Sequence, residues 1–448
     1  MTRSVFQATI LLLAALPGYS QEPLTLIEAA RLALESNPAL EGAAAGEQAA
    51  DAGVRVAAAG RLPRLSWQES YTRSNNPVFA FGTLLNQRRF TEANFAINTL
   101  NNPASVQNFQ SLVRVEQTLF DAHRTKSAIA AARLQKQMSE AETERRQEDV
   151  LLGVVQTYFG ADLAAAGLAT TQDALRSVDA DLERAQAMFD AGMATQADVL
   201  AVQAHRAAIE QQRIQAAGDA EVAIAALNDA LGLPLETPRT LSTPLAEASA
   251  PADDLAGRIA LARGERPDLR QAQLGVDMAA ENARQAGAAR LPQVFAQGAL
   301  EADRARFVNQ GGGNWLAGVG MRWDLWKGGE TQARIDQAAA GQAQAEAARR
   351  RAASAAELEV RQAWTAFSTA TERLRVAGAA IEQAEESLRI VRNRYQAGLE
   401  DVTSLLRSEN ALTGARFQRL AALYDQRVAR AKLDHAAGVL TLSSEALL

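Results

Sequence analysis

The sequence predicts an α+β membrane protein in which long coiled-coil helices join four short strands, the whole order occurring twice. Three observations predict this. The first twenty residues form an apolar leader unlike the rest. Ala-rich stretches carry apolar residues at helical steps of three and four. Four segments of about ten residues alternate apolar and polar side chains, as strands with one apolar face do.

The leader comes first. Arg3 supplies a positive start, Val5 to Leu16 is mostly apolar, Pro17 and Gly18 break the run, and Gly18-Tyr-Ser20 offers small residues for cleavage. That is the order of a secretory signal. The run is too short to span a bilayer as a helix, which takes about 20 apolar residues. Residues 1–20 are therefore expected to be removed, with the mature chain starting near Gln21.

Composition narrows the class. There is no Cys, so an exported chain has no disulfide and no lipid-anchor thiol, and packing alone must hold it. The net charge of -6, with mixed signs, argues against a nucleic-acid partner, which favours clustered Lys and Arg. Aromatics make up only 5% while Ala is abundant, which suits helices packed closely side by side.

The chain repeats itself. Phe189-x-x-Gly192 and Tyr395-x-x-Gly398 lie 206 residues apart. At that offset Val199-Leu200 meets Leu405-Leu406, Leu227 meets Leu433, Gly232 meets Gly438 and Leu119-Phe120 meets Leu325-Trp326. Upstream, Leu62-Pro63 meets Leu291-Pro292 at an offset 23 residues larger, so the first half carries 23 extra residues between Pro63 and Phe120. The expected division is 22–236, a Pro/Ser/Thr-rich linker at 237–252, a second repeat at 253–440 and a tail at 441–448.

Each half has one layout. A short helix (Leu26 to Ser36; Leu255 to Gly264) precedes a medium one (38–60; 267–289) that ends at Arg-Leu-Pro. Two extended segments follow, then a very long helix and a last helix of about 35–40 residues. The stretch 122–190 would measure about 100 Å at 1.5 Å per residue. Seam positions such as Leu134, Met138 and Ala141, or Ile381, Ala384, Leu388, Val391 and Tyr395, mark coiled coils.

The extended segments are 64–72, 109–119, 293–302 and 315–325. Leu65, Trp67 and Tyr71 alternate with Arg64, Ser66, Gln68, Ser70 and Thr72; Phe109, Val113, Val115 and Leu119 form a second apolar set. Trp315, Ala317, Val319, Met321, Trp323 and Leu325 form another, and Gly311-Gly-Gly313 reads as a loop tip. Their lengths suit tilted transmembrane strands, and Trp67, Tyr71, Trp315 and Trp323 are candidate lipid-facing aromatics. Four strands cannot close a barrel alone. Two chains would supply eight and three would supply twelve.

Taken in order, these motifs resemble the TolC-like outer-membrane efflux family, also called outer membrane factors. The resemblance rests on Leu24-Thr-Leu-Ile-Glu-Ala-Ala30 with Asn37-Pro38, on Leu119-Phe-Asp121 and Leu325-Trp-Lys-Gly-Gly329, and on the two aromatic-x-x-Gly turns, over essentially the whole mature chain. It implies a homotrimer in the outer membrane of a Gram-negative bacterium, with a twelve-stranded barrel and an α-helical periplasmic tunnel. It further implies a periplasmic adaptor (membrane fusion) protein and, through it, an inner-membrane pump of RND, ABC or MFS type, in efflux or type I secretion. The chain departs from lipid-anchored relatives in having no Cys. The extra residues then fall in the first extracellular loop, Pro77 to Gln107, whose Phe79, Phe81, Phe90 and Phe95 predict that it folds over the mouth or packs on itself.

In such a family the Gly turns are periplasmic tips that close the channel at rest. The implied tip and gate residues are Phe189, Gly192, Asp198, Tyr395, Gly398, Glu400 and Asp401. Asp198 matches an acidic position involved in closure, and Tyr395 a tip aromatic. Glu400 stands where some relatives carry a basic residue, and Ser404 and Arg407 where some carry carboxylates, so neither a tip salt bridge nor a cation ring carries over. Asp198, Glu400 and Asp401, repeated by symmetry, are expected to form an acidic constriction that attracts cations.

Catalytic patterns are missing. His123, His205 and His435 are far apart in sequence and each is read as a helical surface or packing residue, and no Cys is available for a metal site. The glycine clusters match neither phosphate-loop nor dinucleotide patterns. No cofactor and no metal are expected. A periplasmic coiled-coil scaffold is the alternative reading, and an autotransported trimeric adhesin or enzyme a more distant one.

Overall fold

A computed structural model describes residues 23–308 and 311–447, so the expected leader and its cleavage point lie outside the described residues. The elements run α1 (Leu26–Ser36), α2 (Pro38–Ala58), β1 (Arg64–Ser74), α3 (Pro77–Asn86), α4 (Ile97–Asn101), β2 (Val106–Phe120), α5 (Arg124–Asp190) and α6 (Gln196–Ala230). Then come α7 (Leu255–Glu265), α8 (Pro267–Ala288), β3 (Gln293–Arg304), β4 (Gly312–Arg322), α9 (Glu330–Gln396) and α10 (Val402–Ala436). The helices α5 and α9 each contain 67 residues, and α6 and α10 each contain 35.

Local signals set the boundaries. Thr25 caps α1 by accepting from the Glu28 N–H at 3.2 Å, and the Glu28 carboxylate accepts from the Thr25 N–H at 2.9 Å. This reciprocal box satisfies two donors that have no partner inside the helix. Pro267 occupies the first turn of α8, where its missing N–H costs nothing.

The chain forms two compact units, each drawing on both halves of the sequence. One comprises the described residues up to Pro38 together with 148–258 and 360–447. In its core Leu26, Ala29 and Ala33 of α1 pack with Val154, Val155, Tyr158 and Phe159 of α5, Leu227 of α6 and Leu440. Each fully buried large apolar side chain contributes about 1.5–3 kcal/mol. The predicted linker around 237–252 forms no helix, yet it is pinned along its length. Leu24 bridges to Leu241, the Leu245 N–H donates to Asp162 at 2.7 Å, and the Ala248 N–H donates to Gln426 at 2.9 Å. Tyr158 ties these pieces together: its hydroxyl donates to the Leu24 carbonyl at 2.7 Å and accepts from the Thr243 N–H at 2.9 Å.

The other unit comprises residues 39–147 and 259–359. It holds one antiparallel sheet in the order β1-β2-β3-β4, with β1 and β4 as edges. The register lines up four residues on one face: Trp67 pairs with Val113, Val113 with Leu300, and Leu300 with Trp315. The next row is Leu65, Val115, Gly298 and Ala317. The opposite face carries rows such as Ser70, Gln110 and Asp303, and Arg64, Glu116 and Gln297.

The structure corrects four expectations. The fourth strand runs from Gly312 to Arg322, not 315–325, so Trp323 and Leu325 lie beyond it. Gly312 and Gly313 pair with Asp303 and Ala302 and are strand, not loop tip. A bulge between Thr118 and Phe120 sets Phe120, in place of Leu119, opposite Val294. His123 precedes α5 in a turn with φ of 69° and is not helical. The apolar face also bears Glu69, which accepts from Arg304 at 2.6 Å beside Ser111. The connection between β1 and β2 is folded: it contains α3 and α4, with Phe81 and Phe90 ring centroids 4.8 Å apart and Phe90 and Phe95 5.0 Å apart.

Replacing Tyr158 by Phe takes the shared hydroxyl from the Leu24 carbonyl, which keeps its bond from the Ser242 N–H, and from the part-buried Thr243 N–H. The variant is expected to lose about 1–3 kcal/mol of stability in a denaturant titration. An unchanged midpoint would mean that water replaces the hydroxyl freely there.

Candidate functional site

Two features combine exposure or burial with the wrong polarity for an isolated chain. The first is the apolar face of the sheet. Trp67 is 69% exposed and Trp315 79%, and Leu65, Leu300, Val319 and Met321 are exposed beside them. A contiguous apolar surface of this kind marks a partner or a membrane. Tryptophans border it. Trp67 and Trp315 form one row, and Trp323 lies eight residues further along the chain, about 27 Å at 3.4 Å per residue. The Trp323 indole donates to the Arg290 carbonyl at 3.1 Å, which fixes it just past the strand. Tyr71 lies beyond the opposite border, its ring 4.8 Å from that of Phe109.

The second feature is the pair of glycine turns. Gly192 and Gly398 both have φ of 71°, a conformation that costs other residues strain. The Gly192 N–H donates to Phe189 O and the Gly398 N–H to Tyr395 O, each at 2.9 Å. Phe189 remains exposed, whereas Tyr395 is buried among Val199, Val202 and Leu405. The three acids implied for the gate are each engaged within their own hairpin. Asp198 completes a capping box with Thr195 at the start of α6. Asp401 caps α10 by accepting from the Ser404 N–H at 2.7 Å, and that bond holds its carboxyl below the usual range. Glu400 lies 3.3 Å from Arg394.

Next to Tyr395 lies a buried charged cluster absent from the sequence-derived candidates. Arg392 of α9 donates to Glu409 of α10 at 2.6 Å and to Ser177 of α5 at 2.8 Å, and it reaches Asp181 of α5 at 3.5 Å. Arg184 also pairs with Asp181. His205 of α6 approaches Glu409 at 3.9 Å. Asp181 and Glu409 are almost fully buried, and Tyr395 Oη has no hydrogen-bond partner among the described residues. Burial first, and the Asp181 carboxylate second, push Glu409 up to about 7 against the pull of Arg392. Burial lowers His205 and raises Tyr395.

A signal for this cluster was present in the sequence. Asp181 sits between Val178 and Ala185, and Glu409 between Leu405 and Leu412, at the three- and four-residue steps of an apolar seam. A carboxylate on such a stripe must find a partner when the seam closes. Elsewhere, His435 meets Asp149 at 2.8 Å. Among the described residues no three acidic or histidine side chains converge as metal ligands.

Residues 29–233 and 259–439 match the family of outer membrane efflux proteins. The chain is 26% identical to the alkaline protease secretion protein AprF of Pseudomonas aeruginosa, over 93% of this chain and 85% of that one. It is 24% identical to the outer membrane efflux protein BepC of Brucella suis biovar 1, over 98% and 93%. Its fold is similar to that of the Campylobacter jejuni CmeC outer membrane channel, with a TM-score of 0.78, 18% identity and coverage of 99% and 95%.

Glu409 gives the cluster a testable pH dependence. Its folded-state value lies above the ordinary 4.5, so the folded chain keeps a proton that the unfolded chain releases. Stability is therefore highest at low pH and falls as pH rises from about 4.5 to about 7. Glu409→Gln is expected to melt a few degrees above the natural chain at alkaline pH, with the gap closing in acid. A variant that melts lower at alkaline pH would show that the Arg392 bond outweighs the burial penalty.

Proposed function

As the chain belongs to the outer membrane efflux protein family, we propose that it is the outer-membrane exit duct of a tripartite efflux or type I secretion system. The observation that carries this reading is the four-stranded sheet with two free edges and one exposed apolar face bordered by tryptophan. An outward apolar band about 25 Å tall between aromatic girdles is the signature of an outer-membrane barrel. The apolar side chains of Leu65, Trp67, Leu300, Trp315, Val319 and Met321, exposed on one face, support it.

Three copies would then share a twelve-stranded barrel, β4 of each beside β1 of the next. The polar face of the sheet lines the lumen. The matched helix lengths support descent of the two halves from one duplicated unit. The long helices continue the duct through the periplasm to the glycine turns, which receive an adaptor protein and, through it, an inner-membrane pump. Phe189, Gly192, Asp198, Tyr395, Gly398, Glu400 and Asp401 form the gate. Asp198, in the capping box of α6, and Asp401, the cap of α10, supply most of its negative field, since Glu400 pairs with Arg394. Transport through such a duct uses no catalytic group. The relatives include a protein named for protease secretion and one named for efflux, so either cargo class suits the duct.

Charge placement on the two faces tests the barrel. Val319→Arg, on the apolar face, should cost about 2–4 kcal/mol if that position faces the bilayer midplane, and should deplete assembled channel in outer membranes. Gln297→Arg, on the polar face, should assemble normally and shift ion selectivity in planar bilayers. Equal tolerance of both would contradict a lipid-facing sheet.

A further inference from the structure

The connection between β1 and β2 does not lead away from the sheet. Asn76 caps α3, and α3 packs on β2, β3 and β4. It packs on the polar side. Gln87, at its C-terminal end, donates to the Asn108 side chain at 2.9 Å and to the Gln107 carbonyl at 2.8 Å. Asn108 in turn donates to Asp303 at 2.5 Å. Asp303 pairs in register with Gln110 and Gly312, so all these contacts lie on one face. Gly312 allows the close approach: a Cβ there would stand 1.7 Å from the Asn86 carbonyl oxygen. The T-shaped stack of Phe81, Phe90 and Phe95 folds the rest of the connection back onto α3.

We propose that Pro77–Asn101 is a plug seated inside the external mouth of the duct, with Gln87, Asn108 and Asp303 as its clasp. This rests on the reading that the polar face lines the lumen. Two features fit a seat that must also release. Asp303 is 0% exposed, yet one of its carboxylate oxygens has no partner among the described residues, and a buried unsatisfied carboxylate weakens the seated state. Val78 and Ile97, 82% and 78% exposed, leave an apolar surface uncovered on the plug. Copies of this chain arranged around one lumen would cover that surface with each other, so three plugs would seal better than one. Cargo arriving from within would displace α3 by breaking side-chain bonds, leaving the sheet ladder intact.

The natural chain has no Cys, so single engineered thiols report cleanly. Gln297→Cys lies on the polar face in the row of Glu116 and Gly318, and Val319→Cys on the apolar face beside Ala296. In the full-length protein in intact outer membranes, a small cationic thiosulfonate should label Gln297→Cys and spare Val319→Cys. A bulky maleimide–polyethylene glycol added outside should label Gln297→Cys slowly. Asp303→Ala or Gly312→Val should raise that rate by about tenfold or more, because a seated plug opens only as a minor state. Gly312→Val leaves every clasp group in place, so it decides the question if Asp303→Ala fails to assemble. Equal bulky-reagent rates in all backgrounds, with the small reagent still discriminating between faces, would overturn the plug and leave the duct. Small-reagent labelling of both thiols alike would overturn the lumen reading and the plug with it.

Discussion

A β-sheet edge in hydrocarbon leaves its backbone N–H and C=O groups without partners, at several kcal/mol each. The sheet has two free edges, β1 and β4, and one exposed apolar face. Four strands are too few to close on themselves. On the proposed reading further copies supply the missing partners, and the rest of the molecule follows from that. On the same reading, helices joined to a shared barrel share a tunnel too. This gives a use to α2, which buries none of its residues within one chain, and to exposed apolar side chains such as Val56, Ile214 and Val376.

Much of the fold was legible because its periodicities are long and unbroken. The alternation in 64–72 and 293–302 located β1 and β3, and Arg-Leu-Pro marked the ends of α2 and α8. Errors arose where a distant partner decides the outcome. Gly311 to Gly313 read as a loop because glycine is rare in strands, yet two of the three belong to β4, where only a missing Cβ lets Asn86 approach. The bulge at Thr118 to Phe120 answers the register of β3, which no local pattern announces. Glu69 was passed over because its partner Arg304 lies far along the chain. The two glycine turns were visible as repeated glycines. The buried Asp181, Arg392 and Glu409 were not singled out, since the sequence shows an acid on a seam but not which helix faces it.

Polar burial separates two kinds of region. Around Tyr158 every shared bond closes a core of helix and strap, and nothing there needs to move. At Glu409 and Asp303 carboxylates are buried with incomplete or competing partners, which lowers the stability of the packed arrangement. Both lie beside segments proposed to open, the glycine turns and the α3 plug. Elements that must move are drawn from the less stable parts of a structure, and incompletely satisfied charge is one physical way to build such parts.

The requirement for several copies is the point on which the whole reading turns. The direct measurement is the protein mass of the detergent-solubilised particle from the outer-membrane fraction, by light scattering with the detergent contribution removed. A particle of three chains is expected, because three sheets supply the twelve strands. A monomer recovered in buffer without detergent would contradict it, and would mean that the tryptophan-bordered face never meets lipid.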